Sequence, residues 1–219
     1  MARRRALAEL LTHASPAHSR VTARLKDVPI TAGRERVIEL EALLHLRDGF
    51  RAVGGALFVR PSVSVAQIRG CEEWNSLTLW RGVYRHATML YFFAEDVHGR
   101  QFAIHRGAIV RFDPATGRVD PWADDLEGWA GRALDEATSL GRDRVAGWEV
   151  GHGPLRSHDR LQPRDADALE LDLDTEFRVR EDVDLMRRWV AVFRAHVANP
   201  GEPSLSAVVD EALWWGGEE

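Results

Sequence analysis

Residues 88–113 read TMLYFFAEDVHGRQFAIHRGAIVRFD, and this stretch decides the fold class. Leu90, Tyr91, Phe92 and Phe93 form an apolar, aromatic run, the pattern of a strand covered on both faces. Glu95-Asp96-Val97-His98-Gly99 supplies turn chemistry, because glycine reaches positive φ at no steric cost. Gln101-Phe102-Ala103-Ile104 starts the return strand, and Ala108 to Phe112 makes a third with Val110 and Phe112 in phase. Asp113-Pro114-Ala115-Thr116-Gly117 closes it as a further turn. The stretch reads as scaffold.

On its N-terminal side, residues 33–47 place Val37, Leu40, Leu43, Leu44 and Leu46 on one stripe of an amphipathic helix, stopped by Gly49. Gly54-Gly55 sits in the turn before a strand expected from Ala56 to Val59. Val63, Val65 and Ile68 read as apolar anchors, and Trp74 to Tyr84 carries three large aromatics expected against the sheet edge. On the C-terminal side, Pro121 to Gly141 is the strongest helix pattern. Asp124 is expected to cap it, with Glu127 completing a capping box.

Residues 143–164 hold Gly151, Gly153, Pro154 and Pro163 and read as an irregular connection. Residues 168–180, ALELDLDTEFRVR, alternate strictly, as a long strand with one buried and one wet face does. Asp182 to Arg188 reads as a helical turn, and Trp189 to Val197 as a further strand or a helix. A Pro/Gly turn, a short helix around Leu205 to Leu213 and an acidic end follow.

The chain has 219 residues, 45% of them hydrophobic, enough for a substantial core. Its net charge of −5 provides no global basic field to recruit nucleic acid. Arginine supplies every cationic side chain except Lys26, a bias of GC-rich coding sequence that points to a bacterial source. A lone cysteine, Cys71, excludes an intramolecular disulfide and a cysteine metal cage, so a reducing cytoplasm is expected. The start, MARRRALAELLTHASP, is basic but lacks the apolar run of a signal peptide, and no stretch approaches a membrane span of roughly 18–20 residues.

In this order the motifs resemble the SUKH superfamily, the Smi/Knr-type domains. The resemblance rests on Leu40-Glu41-Ala42-Leu43 leading to Gly49-Phe50 and Gly54-Gly55, then Trp74-Asn75 and Trp80-Arg81. It continues through Phe92-Phe93-Ala94, Asp96 before Gly99, Gln101 to Ile104, Val110 to Asp113 with Thr116-Gly117, and the helix after Ala123-Asp124. It covers residues 36–142 well and runs more loosely to about 198 through Pro154-Leu155, Arg160-Leu161 and Pro163.

The resemblance implies an α+β fold: a twisted, mostly antiparallel sheet flanked by helices. The expected organisation is an N-terminal arm (1–30), a SUKH-like domain (31–198) and a tail with a short helix (199–219). The common bacterial role of such domains is an immunity protein that binds and neutralises a toxin. The family has no shared catalytic centre, so no catalytic residue, metal or cofactor is expected.

A binder needs a surface. Glu170, Asp172, Asp174 and Glu176 would line one face of the alternating strand at intervals of about 6.5–7 Å, uninterrupted by a cation before Arg178. Such a row complements the cationic site of a nuclease, a partner class it would fit, and charge complementarity chiefly speeds encounter. The bland alternative is that the row is simply the solvated face of an amphipathic strand. Trp214-Trp215 is the second partner-binding candidate, since adjacent tryptophans on a helix do not share one core easily. Packing back onto the parent domain is its alternative.

The nine histidines show no HxxxH pair or ligand triad. Glu95 and Asp96 with His98 resemble an acid–base set, but the turn explains their residue types. The expectation is therefore a cytoplasmic toxin-binding immunity protein, with a non-enzymatic adaptor for an endogenous partner as the alternative. A ligand-filled cleft with converging ionisable side chains, deep between sheet and helices, would overturn the protein-covering reading.

Overall fold

The computed structural model describes residues 5–164 and 175–198. Its elements are α1 (Ala6–Thr12), α2 (Arg34–Leu46), β1 (Phe50–Ala52), β2 (Leu57–Val59), α3 (Cys71–Trp74) and β3 (Tyr91–Asp96). After these come β4 (Gln101–His105), β5 (Ala108–Asp113), β6 (Arg118–Ala123), α4 (Leu126–Asp135), α5 (Arg142–His152), β7 (Asp159–Pro163), β8 (Phe177–Glu181) and α6 (Asp182–Ala198). β1 to β6 form a six-stranded antiparallel meander in sequence order, and β7 and β8 pair as a separate hairpin. The fold is α+β, as expected.

The 88–113 stretch forms three strands, but Glu95 and Asp96, read as part of the turn, are strand residues of β3 that pair with Phe58 and Leu57. Every residue of β3 is buried. Tyr91 and Phe93 join a core with Phe102, Ile104, Trp129 and the helix residues Leu40 and Leu44. Phe92 joins a second core with Trp74, Trp80, Tyr84, Phe112 and Trp189. This two-sided burial is why Tyr91 to Ala94 form a continuous apolar run. Trp74 to Tyr84 therefore roofs the second face of the sheet rather than its edge.

The connections follow side-chain chemistry. Asp96 Oδ1 accepts the backbone N–H groups of His98 (2.9 Å) and Arg100 (3.0 Å), and Gly99 takes φ +83°. Arg106 and Gly107, both at positive φ, make the two-residue turn between β4 and β5. Asp113 Oδ1 accepts the Ala115 N–H at 2.8 Å in the next turn.

Several expectations change. α4 starts later than Pro121, because Pro121 lies in β6, exposed on an edge strand where its missing N–H costs no ladder bond. Its cap is Asp125, which accepts the Gly128 N–H at 2.6 Å, and not Asp124. Residues 143–164 contain α5 and β7 in place of an irregular connection. Trp189 to Val197 belongs to α6, where Leu185, Met186, Trp189 and Val192 recur at helical spacing and are all buried.

The N-terminal arm is docked. Leu10 is buried in the first core, and Glu127 Oε1 accepts the Ala6 N–H at 2.6 Å. Arg47 ties the arm down further by donating to the carbonyls of Leu11 and Ala14 at 2.7 and 3.0 Å.

Candidate functional site

Two charged constellations meet at the C-terminal end of β3. The first is wholly internal. Glu95 Oε1 accepts from Arg60, which follows β2, and from Arg160 of β7 at 2.5 Å. Glu95 Oε2 accepts from Gln101 Nε2 at 2.7 Å, and Gln101 in turn accepts from the Trp74 indole at 2.9 Å. Arg60 also donates to Asp182 Oδ2 at the start of α6 at 3.1 Å, and its guanidinium lies 3.2 Å from the centre of the Trp74 ring. Burial opposes ionisation of Asp182, but Arg60 and Arg160 outweigh it and hold the carboxyl below its usual range. Two buried arginines and two buried carboxylates compensate one another, with the partly exposed Arg69 3.6 Å from Asp182 Oδ1 at the edge of the cluster. This arrangement ties together four segments.

The second is a cleft of about 550 Å³. Its walls are the β3–β4 turn (His98, Arg100), the β5–β6 turn (Asp113, Pro114), the turn after α4, Arg144 of α5, Pro163 of β7 and Trp189 of α6. His98 is buried, and that burial, ahead of every charge around it, lowers its pKa from 6.5 to about 4. The ring is neutral at pH 7. Its Nδ1 lies 3.1 Å from the Leu161 carbonyl, an acceptor, so Nδ1 carries the proton and Nε2 presents a lone pair. Arg144 approaches Nε2 at 3.4 Å. The ring fits only because residue 141 is glycine: a Cβ there would lie 2.8 Å from Nε2 and 2.6 Å from Val97.

Arg100 reaches the cleft already paired, with Nε donating to Asp96 Oδ2 at 2.5 Å and Nη2 to the Ser139 carbonyl. Asp96 raises the pKa of this guanidinium further. Trp189 donates its indole N–H to the His98 carbonyl at 3.1 Å, which fixes the apolar wall.

The sequence-derived acid–base set is thereby separated. Glu95 faces the internal cluster, Asp96 is consumed by the turn and Arg100, and only His98 reaches the cleft. Glu170, Asp172 and Asp174 lie outside the described residues, as do Trp214 and Trp215. Glu176 is exposed beside Arg164, which lies 3.5 Å away and so sets a cation against that end of the acidic row. Among the described residues the alternating strand is observed as Phe177–Glu181, where Phe177 and Val179 pack on the first core and Arg178 donates to Gln162 at 3.2 Å.

Arg100, Arg144 and Trp189 are cleft residues that no sequence motif singled out, and Asp113 was read only as a turn residue. They come from four elements, and no short-range pattern links them.

Among the described residues, no group of three or more His, Cys, Asp or Glu side chains is placed to hold a metal ion. No helix among them is long and apolar enough to cross a membrane. No family model, curated protein or solved structure matches the chain.

Proposed function

We propose that the chain works by binding another protein, as a SUKH-type immunity protein that neutralises a toxin by covering it. The observation that carries this reading is the mutual compensation of Glu95, Asp182, Arg60 and Arg160 in the interior. The residues with the strongest chemical character are committed to holding layers together, which leaves the surface to act. His98, with a pKa near 4 and its proton engaged on Leu161, is a weak general base at neutral pH, which also favours binding over proton transfer. The proposed contact is the acidic row Glu170, Asp172, Asp174 and Glu176, aimed at a cationic toxin surface of the kind a nuclease carries.

The test is co-expression with the toxin encoded next to the gene. Protection and a stable complex are expected, and Asp172→Arg with Asp174→Arg should weaken both while leaving the fold unchanged. Neither protection nor binding with the wild-type chain would transfer the proposal to an adaptor for an endogenous partner. Full protection by the charge-reversed variant would remove the acidic row from the proposal.

A further inference from the structure

His98 sits where four other elements meet, and each touches it through a different atom. Its Nδ1 donates to the Leu161 carbonyl of β7 at 3.1 Å, and the Val97 carbonyl beside it accepts the Leu161 N–H at 2.8 Å. Phe177 of β8 stacks on the imidazole with ring centres 5.4 Å apart. Trp189 of α6 donates to the His98 carbonyl at 3.1 Å, and Arg144 of α5 approaches Nε2 at 3.4 Å. Every element of the layer made by β7, β8 and α6 therefore touches this one residue of the β3–β4 turn.

These contacts suit a neutral ring. With the proton on Nδ1, Nε2 accepts from Arg144; a second proton would make Nε2 a donor facing a guanidinium. Burial opposes that proton first. Of the charged groups bearing on the ring, Asp96 favours it, while Arg100 and Arg144 oppose it. From β7, β8 and α6 the residue meets a carbonyl, an aromatic ring and an indole N–H.

We propose that His98 is an acid-sensitive latch: a proton on Nε2 releases β7, β8 and α6 as one layer, while β1 to β6 stay folded under α1, α2 and α4. α6 contributes to the second core and not to the first, so its release uncovers the sheet face where Tyr84, Phe92 and Phe112 pack. Asp159 and Asp182, whose carboxyls are held below the ordinary 3.8, stay ionised until the pH falls below that value and so act outside the window of the latch. The latch rests neither on the acidic row nor on the protein-binding reading.

Amide hydrogen exchange of the full chain at about pH 7 and pH 4.5, read as protection factors, tests it. With a ring value of 6.5 when the layer is open and about 4 when it is closed, the opening constant of the layer rises roughly 60-fold between those conditions. Protection of α6, β7 and β8 should fall by that factor, and protection of β3 and β4 by far less. His98→Asn keeps an N–H for the Leu161 carbonyl and has no proton to gain, so it should abolish the fall. His18→Asn removes the other histidine lowered to about 4 and should leave the fall intact. Equal losses across all elements of the wild type would overturn the proposal, as would a full fall in His98→Asn or none in His18→Asn. If His98→Asn does not fold, the wild type still decides through its imidazole resonance. That resonance should titrate together with the opening of α6, and a ring that titrates while α6 stays protected removes the latch.

Discussion

Placing the His98 imidazole beneath Gly141 removes its access to water, and the ring gives up its proton for that reason first. The folded pKa, about 4, lies below the unfolded value of 6.5. A depressed folded pKa means that the unfolded chain binds the extra proton more readily. Stability is thus fully present above pH 6.5 and is lost as pH falls from there towards 4. At 1.36 kcal/mol per unit, the loss between pH 7.5 and 4.5 is about 2–3 kcal/mol from this group.

His18 acts in the same direction, burial first and then Arg51 and Arg160, but it is less enclosed and its contribution is screened. Asp159 and Asp182 extend the loss below the ordinary carboxylate pKa of 3.8. Urea denaturation at the two pH values should show the wild type losing more stability than His98→Asn. Equal losses would place the effect elsewhere.

At the scale of elements, α4 shows how a local signal can be right in kind and displaced by one residue. Two aspartates precede the helix. Asp124 is exposed and its carbonyl accepts from Arg36 at 3.3 Å, while Asp125 caps the Gly128 N–H. Glu127, expected to close a capping box, instead receives the N–H of Ala6 and so docks α1. Asp125→Ala should cost about 1 kcal/mol in chemical denaturation, and Asp124→Ala much less. The reverse ranking would restore the sequence-based cap.

Other elements carried too little local signal. α5 contains Gly147 and Gly151 and buries only Val145 outright, so no apolar stripe advertises it. β6 carries Pro121, which argues against a strand unless that strand is known to lie at an edge.

Over the whole molecule, the Glu95 cluster is the joint between the meander and the layer made by β7, β8 and α6. Arg60 and Glu95 belong to the sheet side, Arg160 and Asp182 to the added layer. Glu95→Ala leaves Arg60 and Arg160 buried with one carboxylate fewer, a loss of about 3–5 kcal/mol by the rule for breaking buried pairs. Hydrogen exchange on this variant should show α6 and β7 losing protection ahead of β3 and β4. Uniform loss across the chain would mean that the cluster is not the joint.

The three central strands and their turns were determined by the sequence alone. Alternation, aromatic runs and glycine at positive φ act between near neighbours, so most of Leu90 to Gly117 could be read locally, whereas Glu95 and Asp96, read as turn, are held in β3 by pairing with β2. The capped helix α4 and the amphipathic α2 were legible for the same reason. Tertiary structure alone decided the rest. It turned Glu95 inward onto two arginines, gave Trp189 to a helix packed on the sheet, and brought His98, Arg100, Asp113 and Arg144 around one space. Their positions in the chain encode no mutual distance, because only burial of both sheet faces under separate layers brings them together.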